Sequence, residues 1–312
     1  MNPAIDLSDL HKKYGRHTAV DGLNLSIEPG SVFGLIGPNG AGKTTTLRMI
    51  LDIIRPTSGA IRVLGEDPRT AGPSLRRRIG FIPGELRLEG RTTGRRMLDF
   101  YAEVSGPVRS GAIDQLSSRL GLDLTRPVHT LSKGNKQKLG IVQAFMHEPE
   151  LLVLDEPTSG LDPLVQREFL QLVREARGRG QTVLLSSHVL SEIQQTADAV
   201  AVLSAGRIVA EGDVASLRLG AIRRVRAGFS ETDPEVLRVA LTRIPHIADL
   251  EITSGDGSVR LSATVDGDID PFIKAIARHH LVDLAVEEPD LEESVLRLYG
   301  SPGSTTEGGD HA

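Results

Sequence analysis

A short glycine-rich segment between a strand-like run and a helix-like run constrains the fold of this chain most. Residues 31–36 are apolar and strand-like, and apolar residues recur at helical spacing from 47 to 51. The segment between them matches the pattern G-x-x-x-x-G-K-[ST]. It consists of Gly37, Pro38, Asn39, Gly40, Ala41, Gly42, Lys43, Thr44 and Thr45. Glycines let such a loop turn tightly and direct its backbone N–H groups at one point, and the following helix adds its positive end.

This order of strand, loop and helix predicts a binding loop for the phosphates of a nucleotide. Lys43 is placed to reach the β- and γ-phosphates, and the Thr44 hydroxyl is placed to ligate Mg²⁺. The alternative is a glycine-rich turn that binds nothing. That alternative leaves the joint occurrence of strand, lysine, hydroxyl and helix unexplained.

Composition limits the classes of function. With 312 residues, the chain is long enough for two domains. A hydrophobic fraction of 39% and a charged fraction of 25% are typical of a globular protein. The net charge of −5 gives no support to nucleic-acid binding. The absence of Cys excludes disulfides, thiolate metal sites and thiol catalysis.

The sequence carries no membrane or export signal. No apolar run approaches the ~20 residues that a membrane-spanning helix requires. Residues 1–6 lack the basic and apolar regions of a signal peptide. We therefore expect a cytoplasmic protein, which a partner would have to hold at any membrane.

Strand and helix signals alternate through residues 1–220, as in an α/β domain. Apolar runs at 151–154 and 183–185 are typical of buried strands and flank an amphipathic helix at 164–177. This order predicts a parallel sheet with right-handed crossovers. We interpret the basic run 76–78 as solvated residues that lead into a strand. Further signals indicate strands at 5–10, 20–27, 61–65 and 79–83, and helices from 92 to about 147.

The pattern changes near residue 220. The order of elements becomes β-α-β-β-α-β, which predicts a small α+β, ferredoxin-like domain at 221–300 that a helix at 290–299 closes. The tail 301–312, rich in Gly, Ser, Thr and acids, is predicted to be disordered. The strands of this domain are predicted at 221–229, 247–253, 258–265 and 281–287, and its other helices at 234–243 and 271–279.

Two carboxylates follow the apolar strand 151–154. Asp155 stands at the end of that strand, where it could hold Mg²⁺ directly or through water. Side chains alternate along a strand, so Glu156 points to the other side, where it could polarise an attacking water. The alternative is an acid pair that faces solvent. The phosphate-binding loop earlier in the chain argues against that alternative.

Three further segments complete a family pattern. Residues 131–135 read L-S-K-G-N and precede this strand, while 157–162 (P-T-S-G-L-D) and 186–188 (S-S-H) follow it. In this order and spacing, residues 4–220 resemble the ATPase subunit of an ATP-binding cassette (ABC) transporter. The resemblance implies an ABC-type core in which a mixed sheet is combined with helices and a helical subdomain at about 86–148. It also implies ATP and Mg²⁺ as cofactors.

The resemblance also implies roles for single residues. Two such domains pack head to tail, so that each ATP contacts the phosphate loop of one chain and Ser132 and Gly134 of the other. Asp162 would link the two sites across this homodimer. His188 would contact the γ-phosphate and hold the attacking water together with Glu156. The alternative for His188 is an ordinary core or surface histidine.

Some positions depart from the family pattern. Lys133 and Asn135 replace a glycine and a glutamine, although the two phosphate-contacting positions beside them are retained. Gly84 stands where a glutamine is expected, and Glu85 next to it is a candidate metal ligand in its place.

The resemblance also implies that Tyr14 would stack on adenine. Its alternative is a tyrosine in a turn without a ligand.

With these departures and residues 288–293, the chain resembles bacterial drug and antibiotic export ATPases of the daunorubicin-resistance type. The resemblance implies an ATP-hydrolysing subunit of an exporter of a drug, antibiotic or other hydrophobic compound. It would lie on the inner face of the cell membrane, with a separate permease docked near residues 85–96. Three alternatives are an import ATPase, a soluble ABC ATPase that acts on ribosomes or DNA, and a non-catalytic regulatory module. The second usually has two cassettes or long inserts, and an intact Glu156 and His188 oppose the third.

Overall fold

The computed structural model describes residues 2–214, 222–255 and 258–287. The chain divides into two compact units, Met1–Val214 and Ala215–Ala312. The predicted helix at 290–299 and the predicted tail at 301–312 lie outside the described residues. No helix within the described ranges is both long and apolar enough to span a membrane.

The first unit contains two sheets and seven α-helices among its described residues. The strands are β1 (Ile5–Tyr14), β2 (His17–Ile27), β3 (Val32–Ile36), β4 (Ser58–Val63), β5 (Ile79–Ile82), β6 (Leu151–Asp155), β7 (Thr182–Ser187), β8 (Ala199–Ser204) and β9 (Arg207–Asp213). The helices are α1 (Lys43–Ile50), α2 (Pro73–Arg77), α3 (Gly94–Ser105), α4 (Ala112–Arg119), α5 (Lys133–Phe145), α6 (Pro163–Gly178) and α7 (Leu190–Gln194). A 3-10 turn spans Val128–Thr130.

The six-stranded sheet brings the predicted site segments to one edge. Its strand order is β5-β6-β7-β3-β8-β9, in which all neighbours pair in parallel except β8 and β9. Asp155 at the end of β6 pairs with Ser186, and Ser187 at the end of β7 pairs with Ile36 at the end of β3. The carboxyl ends of these three strands therefore lie side by side. The phosphate loop and the two later motifs follow directly from them.

Burial explains why the central strands are predominantly apolar and carry polar residues only at their ends. Every residue of β3, β6 and β7 is buried, because helices and the second sheet leave neither face of these strands to solvent. The predicted strands at 151–154 and 183–185 and the helix at 164–177 are confirmed as β6, β7 and α6. Strands β8 and β9 were not predicted.

The three-stranded antiparallel sheet has the order β2-β1-β4. Strands β1 and β2 extend beyond the predictions, since Tyr14 pairs with His17 and only residues 15 and 16 form the turn. The strand predicted at 61–65 instead begins earlier, at Ser58, and ends at Val63, because residues 64 and 65 form a turn. The prediction ended where the buried apolar residues end, at Leu10 on β1, but backbone pairing continues through exposed polar residues. Hydrophobic periodicity does not detect such a solvated ribbon.

The structure confirms that the basic run 76–78 leads into a strand, β5, with Arg76 and Arg77 exposed, and it adds that the run begins inside a helix. Arg76 and Arg77 form the last turn of α2, where cations suit the negative end of the helix. Arg78 pairs with Glu66 at 2.8 Å and with Glu150 at 2.7 Å. The hydrogen bond from this guanidinium lowers the pKa of Glu150 below its usual range.

Helices α3, α4 and α5 occupy the region predicted to be helical. Helix α5 packs against both other helices and against β5. Phe145 of α5 meets Phe169 of α6 edge-on, with ring centroids 6.2 Å apart. Arg119 of α4 binds Glu168 at 2.6 Å and Glu175 at 2.7 Å, both on α6. Hydrogen bonding from Arg119 lowers the pKa of Glu175.

The second unit has a separate core. Its elements are β10 (Ile222–Ser230), α8 (Pro234–Thr242), β11 (Ile247–Gly255), β12 (Ser258–Asp266), α9 (Asp270–Ile276) and β13 (Leu281–Glu287). The antiparallel sheet has the order β11-β12-β10-β13. Val225, Phe229, Leu237, Leu241 and Phe272 are fully buried between this sheet and its two helices. The assignment of this unit as ferredoxin-like stays a prediction.

Candidate nucleotide site

The glycine-rich loop connects β3 to α1 and approaches other backbone closely at both ends. A Cβ on Gly37 would lie 2.2 Å from the carbonyl oxygen of Leu203, and one on Gly42 would lie 2.5 Å from that of Ala19. Gly42 also has φ 108°, a conformation that glycine adopts without a steric penalty. Only glycine therefore fits these two positions without displacing the backbone.

Lys43 begins α1 and folds back over the loop. Its side chain is only 6% exposed. The Nζ atom donates to the carbonyl oxygen of Gly37 at 2.5 Å and to that of Pro38 at 3.3 Å. The same Nζ lies 3.3 Å from Oε1 of Glu156. A buried ammonium is therefore held at the loop by two carbonyl oxygens and one carboxylate.

Asp155 and Glu156 lie where β6 ends. Asp155 is 2% exposed, and its Oδ1 accepts a hydrogen bond of 2.7 Å from the Ser186 hydroxyl. Glu156 has φ 47°, which is uncommon for a residue with a side chain. Its N–H donates to both the carbonyl oxygen of Ser186 at 3.2 Å and the Ser186 hydroxyl at 3.1 Å. These bonds hold the turn that directs the Glu156 carboxylate away from the line of the strand.

The Glu156 carboxylate lies between two basic groups. His188 follows β7, and its Nδ1 lies 2.6 Å from Oε2 of Glu156. Oε1 faces Lys43 but is buried without a hydrogen bond of its own. The structure thus brings together the three residues that we predict to be catalytic, Lys43, Glu156 and His188. An acceptor oxygen held in this way has free capacity for a water or a substrate proton.

A cavity of about 270 Å³ opens in front of the loop. Tyr14, His17 and Ala19 line it together with residues 38–45 and Glu156. Tyr14 is half exposed, and Nζ of Lys12 lies 4.9 Å from the centre of its ring. A ring beside a phosphate loop offers a flat face on which a base could stack.

Two neighbouring helix starts carry Ser132, Gly134 and Asp162. In the described part of the chain, none of these three residues lines the cavity. The Ser132 hydroxyl caps α5 by accepting from the Asn135 N–H at 3.3 Å. The Asp162 carboxylate caps α6 by accepting from the backbone at 3.1 Å. A Cβ on Gly134 would lie 2.8 Å from the carbonyl oxygen of Gly160, so the two helix starts are in close contact.

Glu85 makes no contact with the predicted metal ligands. Its side chain is 70% exposed and pairs with Arg87 at 2.9 Å. Its neighbour Gly84, by contrast, lies directly against the Asp155 carboxylate. The role of Glu85 as a metal ligand stays a prediction that no distance in this structure supports.

The donor set at the end of β6 suits a cation that substrate oxygens help to hold. Among the residues that the structure describes, no group of three His, Asp or Glu side chains could hold a metal by itself. Mg²⁺ is commonly bound through one or two carboxylates plus phosphate oxygens. Asp155, with one oxygen bound to Ser186 and the other facing Gly84, and Thr44 at the start of α1 fit that pattern.

Sequence reasoning gave no role to four polar residues that organise this edge, namely Thr158, Ser186, Ser187 and Glu192. Ser186 binds the Asp155 carboxylate, as described above. Thr158 and Ser187 both donate to the buried Glu192. Two hydroxyls directly before His188, at the end of an otherwise apolar strand, were the signal that could have revealed part of this network.

Known proteins share this site's sequence pattern. Residues 20–159 match the family model described as ABC transporter. The chain is 35% identical over 305 residues to the bacitracin transport ATP-binding protein BcrA of Bacillus licheniformis, covering 96% of this chain and 98% of that protein. The chain belongs to the ABC transporter family. It is an ATPase of that family, and the resemblance stated from the sequence is confirmed.

Two further comparisons agree with this assignment. The ABC ATPase is 34% identical over 308 residues to the daunorubicin resistance ATP-binding protein DrrA3 of Streptomyces coeruleorubidus, covering 95% of this chain and 96% of that protein. A solved ATP-binding subunit of an ABC transporter matches with a TM-score of 0.64 at 31% identity, over 69% of this chain and 92% of that one. The predicted ABC-type core is thereby confirmed.

Proposed function

We propose that this ABC ATPase powers the export of an antibiotic, drug or other hydrophobic compound through a separate membrane permease. The proposal of ATP hydrolysis rests on the position of the Glu156 carboxylate. Its Oε1 lies 3.3 Å from Nζ of Lys43, and its Oε2 lies 2.6 Å from Nδ1 of His188. The observation that supports export is the near full-length similarity to proteins named for bacitracin transport and daunorubicin resistance.

Each residue of the cavity has a role in this proposal. Backbone N–H groups of the loop 37–45 and the Lys43 ammonium bind the β- and γ-phosphates of ATP, and Tyr14 stacks on the adenine. Glu156 accepts a proton from the attacking water, and His188 holds that water and the γ-phosphate in place. The low exposure of Lys43 and Glu156 supports strong electrostatic interactions at this position.

Mg²⁺ is part of the proposal, with Thr44 and Asp155 as the residues that would hold it. A bound cation would draw the phosphate oxygens together and offset their charge. The Ser186 hydroxyl keeps Asp155 in a fixed orientation for this task. Glu85, which pairs with Arg87, is the weaker candidate ligand.

Head-to-tail homodimerisation would complete the site. Ser132 and Gly134 at the start of α5 would contact the γ-phosphate of ATP bound to the second copy, and Asp162 would link the two sites. Their position at helix starts supports this role, because N–H groups and the helix dipole favour anions there. Their absence from the cavity lining of the described chain agrees with a contribution to a partner's site.

The permease would dock beside residues 85–96 and hold the ATPase at the inner face of the membrane. We take as part of the docking surface a cavity of about 220 Å³ whose lining includes Phe81, which precedes that segment in the chain. Its lining is mostly apolar and includes Leu51, the largely exposed Ile53, Leu75 and Phe81. Such a lining suits a short amphipathic helix of a partner.

The test of the catalytic proposal is Glu156→Gln. The amide retains the size of the side chain and leaves Asp155 unchanged, so ATP should bind normally. Loss of a general base typically reduces rates by ~10²–10⁴-fold, and we expect hydrolysis to fall at least that far. The variant should run as a dimer on a sizing column with ATP and Mg²⁺ and as a monomer without them. Hydrolysis at the wild-type rate would mean that another group is the base.

Export is tested separately from catalysis. Co-expression of this chain with its permease in an antibiotic-sensitive bacterium should raise the inhibitory concentration of the exported compound. Co-expression with Glu156→Gln should leave the inhibitory concentration at that of the empty host. Uptake rather than expulsion of a labelled compound would favour the import alternative.

A further inference from the structure

A buried carboxylate lies behind the candidate catalytic pair. Glu192 belongs to the short helix α7 and is 8% exposed. Its Oε2 accepts two hydrogen bonds, one from the Thr158 hydroxyl at 2.9 Å and one from the Ser187 hydroxyl at 3.0 Å. All three side chains are buried. Solvent therefore cannot replace either bond.

The two hydroxyls belong to the segments that carry the catalytic candidates. Thr158 follows Glu156 by two residues, and Ser187 directly precedes His188. Glu156 and His188 bond to each other at the surface of the site at 2.6 Å. Glu192 thus forms a second, buried bridge between the same two segments. The segments and their two bridges form a closed ring.

The number of protons that each group can donate determines the direction of the hydrogen bonds in this ring. Ser187 accepts from the Val189 N–H at 2.9 Å, which leaves its single proton for an acceptor. Oε2 of Glu192 at 3.0 Å is a better acceptor for that proton than the Val189 carbonyl oxygen at 3.4 Å. Bonds to a charged acceptor are stronger than bonds between neutral groups. A carboxylate in the first turn of α7 also suits the positive end of the helix.

We propose that Glu192 is a positioning residue for ATP hydrolysis, which keeps His188 and Glu156 at their mutual distance by tying Ser187 to Thr158. This inference rests on the proposed function. The loop 37–45 follows a different strand, β3, and the hydrogen bonds described for Glu192 go to Thr158, Ser187 and Thr196 rather than to Lys43. Loss of the bridge should therefore act on the rate of the chemical step and leave nucleotide binding nearly unchanged.

The experiment compares Glu192→Leu, which removes the acceptor, with Glu192→Gln, which keeps an acceptor oxygen in place. Hydrogen bonds to charged groups are worth enough to change a rate roughly 10- to 100-fold, and we expect Glu192→Leu to lower kcat in that range. The Kd for ATP and the unfolding temperature are measured on the same preparations. We expect the Kd to stay within about twofold of wild type. Glu192→Gln should recover most of the lost kcat.

A double-mutant cycle separates the bridge from general packing. In a chain that carries both Thr158→Val and Ser187→Ala, the change Glu192→Leu should cost little further kcat, because the bonds that it removes are already gone. These two substitutions also test the bridge if Glu192→Leu does not fold. The matched control is Thr196→Val, which removes a buried hydroxyl that bonds the backbone of Glu192 but not its carboxylate.

The outcomes decide between the inferences. A folded Glu192→Leu protein with wild-type kcat would overturn the positioning role. So would a loss in which kcat, ATP binding and unfolding temperature decline together, or full additivity in the cycle. If the wild-type chain binds ATP but does not hydrolyse it in the presence of its permease, the proposed ATP-hydrolysing function is wrong. That failure would be independent of any substitution at Glu192.

Discussion

Gly84 lies directly against the carboxylate of Asp155: a Cβ at residue 84 would be 2.8 Å from Oδ2 and 3.1 Å from Cγ of that side chain. Contacts of 2.8 Å are shorter than van der Waals packing allows. The glycine at this position therefore leaves room for the present orientation of Asp155. The family pattern has a glutamine at this position. In this chain the glutamine side chain is absent, and the buried Asp155 carboxylate occupies the space beside residue 84.

We predict that Gly84→Ala lowers ATP hydrolysis about tenfold, which corresponds to roughly 1.4 kcal/mol in the barrier, because the added methyl group would displace Asp155 from the orientation in which it is proposed to hold Mg²⁺. The backbone at Gly84 is outside the left-handed region, so the cost is steric rather than conformational. Steady-state hydrolysis against Mg²⁺ concentration is the measurement. Gly178→Ala is the control, because a Cβ there would meet no atom within 4 Å. An unchanged rate in Gly84→Ala would show that Asp155 relocates without consequence.

Lys43→Ala should abolish hydrolysis and weaken ATP binding by roughly tenfold or more, because a hydrogen bond to a charged group contributes about 1.5–3 kcal/mol. The substitution removes the buried ammonium that Gly37, Pro38 and Glu156 hold at the loop. Isothermal titration with ATP reports binding, and phosphate release reports turnover. Lys274→Ala in the second unit removes a largely exposed ammonium and should change neither quantity. Near-normal turnover in Lys43→Ala would contradict the assignment of the phosphate loop.

Ser132→Arg should block hydrolysis while ATP still binds to the monomer. Ser132 is exposed at the N-cap of α5, so an arginine there disturbs no buried packing and removes only a cap worth about 1 kcal/mol, but it obstructs the proposed contact with a second copy. The control is Ser118→Arg, which places the same side chain at an exposed serine of α4. Specific activity that does not depend on protein concentration in the wild-type chain would argue against a head-to-tail dimer.

The pH dependence of stability should contain a contribution from His147. Burial lowers the pKa of this side chain below its ordinary value of 6.5, and the backbone of Ile79 and Gln143 only partly opposes the shift. Below that value the unfolded chain binds a proton that the folded chain excludes, so stability falls as the pH decreases from about 6.5. Above it both states are neutral, and the contribution vanishes.

His147→Gln should remove this contribution. Urea midpoints at pH 8 and pH 5.5 should differ less in the variant than in the wild-type chain. His129→Gln, at an exposed histidine, should keep the wild-type difference. Identical pH dependence in His147→Gln and the wild-type chain would show that His147 becomes protonated without unfolding.

Prediction from sequence succeeded where a motif is local. The loop 37–45 and the strand that ends at Asp155 were located correctly, because their function requires neighbouring residues in a set order. Prediction was incomplete where neither hydrophobic periodicity nor a motif marks the element. The solvated ends of β1 and β2 and the partly exposed strand β9 were missed for this reason. Strand β8 was missed although residues 199–203 form a continuous apolar run, which is typical of a buried strand.

The sequence by itself determined the phosphate loop, the acid pair after β6, the histidine after β7 and the family to which they belong. Only the tertiary structure decided that Gly84 stands against Asp155 and that Glu192 binds Thr158, 34 residues away along the chain. The physical reason is that a motif depends on the local path of the backbone, which a few residues specify. A contact between distant side chains depends on strand register, helix placement and burial, and these follow only when the whole unit packs.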